Sequence, residues 1–403
     1  MINKKNIADL AIFGGKQLFP TPKSTSNLLQ PNIDNFLSYS QEFFEQKQYT
    51  DNGPNVKQLE QRLAKFHQVK YCITFSSGFW ALALAIRSLA LPGRTEVIMP
   101  SLTYRRMADI AAWLNLKPHF CEVDPNTLAM SAETVAPCIN ENTALILGVH
   151  PIVNCCDVED LVSVARENKI PILFDSVESV YESTPAGKIG GFGHAECFSL
   201  HACKLFNGFG GGYLTTNDND LAEKLSALRS FGLEAVDHAG VEGGMNAKLN
   251  EMHAAMSLAS LDDIENQVAK NKDRYHAYKH SISSVSGIRL LEFDENFKTG
   301  YKNIVVEILE SWPLSRENTI NILNADNILA RPYYYPPLHS KPMQYDFISA
   351  HLPVTDTLSG SYLNLPCGQL VTSDDIIKIV ELLCFISSNA TPIKALLSRR
   401  GDI

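Results

Sequence analysis

Several familiar signatures are missing from this 403-residue chain. No window approaches the roughly 18 apolar residues that span a bilayer. The N-terminal MINKKNIADLAIFGG has no signal-peptide hydrophobic core. No block of lysine and arginine occurs: 35 basic residues are scattered among 44 acidic ones, for a net charge of -9. A nucleic-acid binder needs a basic stripe or face, so that class is excluded as an expectation. The nine cysteines form no CxxC pair and are odd in number, which argues against both a zinc site and a disulfide framework. They read as reduced thiols of a cytoplasmic protein. There is no internal repeat and no low-complexity tract. GFGHAE (191–196) is not a GxGxxG and opens no helix, so a dinucleotide-binding fold is disfavoured.

What is present is ordinary globular material, 45% hydrophobic and 20% charged, enough for two domains. Short apolar runs alternate with helical patterns. YCITF (71–75), EVIMP (96–100), KPHFCEV (117–123), ALILGVH (144–150), IPILFD (170–175), CFSL (197–200) and GYLTT (212–216) read as strands. VKQLEQRLAKFHQVK (56–70), FWALALAIRSLAL (79–91), MADIAAWLNL (107–116), DVEDLVSVARENK (157–169) and LAEKLSALRSFG (221–232) read as helices. The strands are apolar throughout rather than alternating. That predicts an α/β fold with a mostly parallel seven-stranded sheet covered on both faces. Residues 250–282 read as one long helix bridging to a smaller α+β domain, in which VTSDDIIKIVELLCFI (371–386) opens with a Thr-x-x-Asp cap. The expected division is an irregular arm (1–35), a large domain (36–264) and a small C-terminal domain (265–403).

In such sheets ligands bind beyond the strand C-termini. Three points follow strands there: Ser76–Phe79, Pro100–Tyr104 and Asp175–Glu178. The first, Ser-Ser-Gly before a helix, is either a simple helix cap or a phosphate site. Asp175 either caps the next helix or aims a carboxylate into a cleft. Tyr104 is either a packed aromatic or a ring stacked on a flat cofactor. A fourth feature is Lys204 in FSLHACKLFNGFGGG (198–212), which is either a surface cation or an amine placed for covalent chemistry. A phosphate turn, an acid for a ring nitrogen and a lysine amine fit one molecule, pyridoxal 5'-phosphate. The glycines after Lys204 are expected to let backbone pass close to that lysine.

Taken together, NGPNVKQLEQRLAKFHQVKY (52–71), SSGFWALALAI (76–86), EVIMPSLTY (96–104), FDSVES (174–179), FSLHACKLFNGFGGGYLTTND (198–218) and GGMNAKLNEMHAAMSL (243–258) resemble the DegT/StrS-type sugar aminotransferases. The resemblance covers nearly the whole chain. It implies the aspartate aminotransferase fold (fold type I) and pyridoxal phosphate as cofactor. It implies a reaction in which an amino donor, glutamate, aminates a nucleotide-linked keto-sugar. The product would serve polysaccharide, lipopolysaccharide or antibiotic sugar synthesis. By the same resemblance Lys204 carries the cofactor, Asp175 meets the ring nitrogen and Tyr104 stacks on the ring. Ser77, Gly78, Phe79 and Ser199 surround the phosphate, and Glu178 lies beside the ring hydroxyl. Asn246 reaches the phosphate of the neighbouring subunit, which implies a homodimer with shared active sites; the lack of a long apolar window predicts no membrane partner.

The chain departs from the family pattern at four places. Phe79 stands where threonine is usual. Arg105 and Arg106 replace small residues, and they are either solvated or face substrate anions. Gly210 replaces a glutamate, and Val153 a glycine. Two other readings stay open. One is a non-catalytic or regulatory family member. The other is a pyridoxamine-dependent sugar dehydratase, whose histidine in place of the lysine Lys204 argues against.

Overall fold

The computed structural model describes residues 2–26, 29–235 and 238–400. Seven strands of the large sheet are β1 Tyr71–Phe75, β2 Glu96–Pro100, β3 Lys117–Cys121, β4 Thr143–Val149, β5 Ile172–Asp175, β6 Ala195–Ser199 and β7 Gly212–Thr216. These are the seven expected from the apolar runs. Among the described residues the C-terminal half adds β8 Ile288–Leu290, β9 Ile304–Ile308, β10 Arg331–Pro332, β11 Ile348–Ser349 and β12 Tyr362–Leu365. The large sheet runs β1-β7-β6-β5-β4-β2-β3-β11, so a two-residue strand from the C-terminal half becomes its eighth member. Only β7 is antiparallel to its neighbours β1 and β6. The C-terminal ends of β1, β2, β4, β5 and β6 therefore share one edge.

Every residue of β2 and β4 is buried. Alternate side chains serve two cores, one on each face. Ile98, Ile146, Ile172 and Phe174 enter the first, whereas Val97, Met99, Leu145, Leu147 and Leu173 enter the second. That two-sided burial is why the strands read as continuous apolar runs.

The second sheet is antiparallel, in the order β8-β9-β12-β10. The helical stretch after residue 250 is two helices, Glu251–Asp262 and Ile264–Ile282, rather than one. Asp263 breaks it: its backbone sits at φ -102, ψ 2, and its carboxylate bonds the side chains of Asn266 and Gln267 ahead of it. Helix Ser373–Ser388 has the expected capping box between Thr372 and Asp375. No single helix among the described residues is long and apolar enough to cross a membrane. The apolar residues of the last two helices, including Ile376, Leu382, Leu383 and Ile393, enter the protein's own core.

The N-terminal arm is more ordered than its composition suggests. It forms two short 3-10 helices, Ile7–Asp9 and Ala11–Phe13, and is tied to the C-terminal half. Lys4 makes a buried ion pair with Asp326 at 2.6 Å, and the Lys23 amide donates to the Asn327 carbonyl at 2.8 Å. All nine cysteines are free.

Candidate active site

Four of the singled-out segments meet at the shared strand edge. Ser77, just past β1, caps helix Gly78–Leu89, its hydroxyl accepting from the Trp80 amide at 3.3 Å. The hydroxyl is thus used at the helix start, and the first N–H groups of the helix point outward from the turn. Ser199, the last residue of β6, packs against Gly78: a Cβ on Gly78 would lie 3.4 Å from the Ser199 Cβ.

The glycine cluster crowds this turn rather than the lysine. A Cβ on Gly212 would fall 2.4 Å from the Gly78 nitrogen, and Gly211 adopts φ +108 while bridging to Ser77. The expectation that these glycines clear space around Lys204 is corrected accordingly. Gly210 faces the His253 ring, 3.0 Å from where its Cβ would be. His253 is pinned by a 2.8 Å contact to the Gly208 carbonyl, so a larger residue at 210 meets an occupied place.

A cleft of about 330 Å³ opens beyond this edge. Its walls include Thr103, Tyr104, Glu178 and Lys204 from the large-sheet side, and Lys302 and Arg331 from the C-terminal half. Tyr104 is half exposed there. Thr103, lining the same cleft, has a buried hydroxyl with no hydrogen-bond partner among the described residues. Arg105 lines the cleft, whereas Arg106 turns to Asp109 at 3.1 Å on the surface. Lys341, on the same wall, is pushed below the usual lysine range by burial and then by the charges of Arg105 and Arg106.

Lys204 is not a surface cation. Its side chain is 18% exposed, and its amine donates to Glu178 Oε1. Glu178 Oε2 accepts from Lys302, whose side chain is 2% exposed. Burial alone would push the Glu178 carboxyl up, but Lys204 and Lys302 outweigh it and hold it well below the carboxylate range. For Lys204, burial favours loss of the proton and Glu178 opposes it; the outcome is a raised pKa. Asp175 ends β5 and accepts the Val177 amide on its Oδ1, at 3.0 Å. Burial raises its carboxyl to about 6, against the downward pull of that amide and of Lys204.

Behind Asp175 lies a second buried group. Glu196 Oε1 accepts from the amides of Gly190 at 2.7 Å and Phe192 at 2.8 Å, and Oε2 accepts from Ser176 Oγ. Burial lifts Glu196 to about 7. His150, stacked on Phe174, accepts the Cys156 amide at Nδ1 and is held neutral, its pKa driven down to about 3 by burial. Its proton is therefore on Nε2, 4.0 Å from Glu196 Oε2.

Two expected site residues stand apart. Phe79 packs edge-on to Trp80 and Trp113, with centroids at 5.1 and 6.3 Å. Only its backbone is left for an anion. Asn246 is exposed and bridges to Ser230; it does not line the cleft of its own chain. Its block has a structural member as well: Glu251 accepts the amides of Asn55 at 2.7 Å and Val56 at 3.1 Å and so caps helix Pro54–His67. Lys302 is the site residue the sequence reading missed. Its partner Glu178 is 124 positions away, and TGYKNIVVEI carries no local sign that the lysine is buried.

Residues 32–384 match the model of the DegT/DnrJ/EryC1/StrS aminotransferase family. The chain belongs to this family. It is similar to a dTDP-4-amino-4,6-dideoxy-D-glucose transaminase of Shigella dysenteriae, 28% identical over 76% of this chain and 83% of that one. A UDP-2-acetamido-2-deoxy-3-oxo-D-glucuronate aminotransferase of Pseudomonas aeruginosa is likewise 28% identical, over 84% and 91%. The solved structure of DesI with its TDP-sugar product superimposes with a TM-score of 0.91 at 28% identity, covering 97% of this chain and 99% of that one.

This family member is a pyridoxal-phosphate-dependent aminotransferase of the aspartate aminotransferase fold. The residues present fit that cofactor. A buried amine, a buried carboxyl poised to ionise and a helix start backed by Gly212 and Ser199 occupy one strand edge. An unpartnered buried hydroxyl at Thr103 faces the same cleft.

Proposed function

We propose that this enzyme transfers an amino group from glutamate to a keto-sugar linked to a nucleotide. The observation that carries the reading is the Lys204 amine held on Glu178 in the cleft that Tyr104 lines, with the buried Asp175 carboxyl near enough for its charge to act on that amine. The large domain (36–264) holds the cofactor and the small domain (265–403) supplies the facing wall. Pyridoxal phosphate supplies the electron sink and a temporary carrier for the amino group. The buried Asp175 carboxylate would pair with a protonated ring nitrogen, and Tyr104 would offer its ring to the cofactor. Ser77, the Gly78 and Phe79 amides and Ser199 hold the phosphate. Lys204 Nζ carries the cofactor at rest. As a free amine, Lys204 Nζ would serve as the base that accepts and holds the proton of the donor α-carbon. Arg105 in the cleft suits an anionic group of the nucleotide sugar.

The relatives named above act on nucleotide sugars, which supports the substrate class. The exposed Asn246 supports a homodimer in which it serves the partner's phosphate. Lys204 itself weighs against the dehydratase reading.

The purified protein should be yellow, and borohydride should fix a pyridoxyl group on Lys204 and not in Lys204→Ala. A panel of nucleotide-linked keto-sugars with glutamate should yield one amino sugar. A yellow protein that converts none of the panel would sink the sugar-transaminase reading. A colourless protein that ignores added cofactor would favour a regulatory role.

A further inference from the structure

Glu178 gives each of its oxygens to a different lysine. Oε1 accepts from Lys204 and Oε2 from Lys302. The two amines arrive from opposite walls, since Lys302 sits two residues before β9 in the antiparallel sheet and Lys204 follows β6 in the large one. A buried lysine with a carboxylate of its own stays an ammonium, which is neither nucleophile nor base. Here the carboxylate is shared and a second ammonium stands beside the first. Divided counter-charge and like-charge repulsion both favour release of the Lys204 proton. A neighbouring cation is a general means of activating a lysine amine. When Lys204 is engaged elsewhere, Lys302 still neutralises Glu178, so no buried carboxylate is left alone.

We propose that Lys302 is a positioning residue for the Lys204 amine: it holds half of Glu178, which weakens the hold of Glu178 on Lys204 Nζ and keeps Glu178 paired when Lys204 leaves. This deepens the proposed function and rests on Lys204 being the amine that carries the cofactor.

The test compares wild type, Lys302→Met and Lys302→Arg as full-length proteins. In the coloured protein, the pH midpoint of the cofactor absorption band reports the proton on the lysine-linked nitrogen. Lys302→Met should move it up by about one pH unit, and Lys302→Arg should restore it. Lys204 acylation by dilute acetic anhydride, read by peptide mapping after cofactor removal, gives a second measure. At pH 9 it should slow about tenfold in Lys302→Met, the equivalent of one pKa unit, and stay within about twofold in Lys302→Arg. If Lys302→Met folds, by near-ultraviolet circular dichroism, and both measures stay at wild-type values, the proposal is wrong. If Lys302→Met does not fold, Lys302→Gln replaces it and the same outcomes decide. A colourless wild type would count against the cofactor reading alone, because acylation still tests the sharing of Glu178.

Discussion

Gly212 stands directly behind Gly78: a Cβ added to Gly212 would lie 2.4 Å from the Gly78 nitrogen and 2.8 Å from the Ser77 carbonyl carbon. The turn that opens helix Gly78–Leu89 is therefore braced by bare backbone. Gly212→Ala must displace that turn. It should cost about 1–3 kcal/mol of stability, as overpacking does, and weaken cofactor binding at least about tenfold. Gly360→Ala is the control, because a Cβ there meets nothing within 4 Å and the position is helical. That change should be neutral or stabilise by up to about 1 kcal/mol. Cofactor titration by absorbance and chemical denaturation check both.

Asp175 titrates near 6 because burial raises it. Pairing with a protonated ring nitrogen needs it ionised. Cofactor affinity should hold above pH 6 and fall below it, about tenfold per pH unit once the carboxyl is mostly protonated. Asp175→Asn should bind weakly at pH 7.5 and lose that slope. Dissociation constants at pH 5, 6 and 7.5 decide it.

Glu196 gives a stability prediction of definite sign. Its folded pKa, about 7, lies above the usual 4.5 because burial disfavours the charge. Between those values the folded state holds more protons than the unfolded one, so this group's contribution to stability falls as pH rises from about 4.5 to 7. The shift corresponds to roughly 3 kcal/mol across the window. Glu196→Gln keeps an oxygen for the Gly190 and Phe192 amides and carries no charge. It should flatten the profile and gain on wild type at pH 8 relative to pH 5, measured by denaturant unfolding at both pH values.

Lys4 and Asp326 form a buried pair that anchors the first residues. Lys4 also donates to the carbonyls of Asp9 and Lys16, while Asp326 accepts the Leu18 amide at 2.9 Å. Lys4→Met leaves Asp326 buried without its charge partner and should cost about 3–5 kcal/mol. If thermal unfolding shows a loss below 1 kcal/mol, the arm is not held this way.

The strands of the large sheet were legible because each is apolar on both faces and bounded by a clear break. Asp175 and Glu178 were legible because they lie at and just past a strand end, where open α/β sheets present their ligand sites, and Lys204 because it stands between an apolar run and a glycine cluster. Lys302 escaped for the opposite reason: what makes it notable is a contact across the fold, and its neighbours in sequence say nothing of that. Phe79 was read as standing where threonine is usual, and its contacts add what that reading lacks, a place in an aromatic cluster with Trp80 and Trp113. Asp263 hid a helix break because its flanks are helical by composition, and only its backbone angles reveal the stop. The strand Ile348–Ser349 was invisible because two residues carry no periodicity.

That short strand has a consequence for how the protein is made. On the outer edge of Lys117–Cys121, His119 and Phe120 are paired with Ile348 and Ser349. On a ribosome the chain emerges from its N-terminus, so this edge stays open until more than 220 further residues have been added. An uncovered apolar edge invites pairing with another chain. The nascent protein thus passes through a long interval in which its main sheet is nearly assembled and still unsealed, and a truncated product ending before residue 348 would keep that adhesive edge permanently.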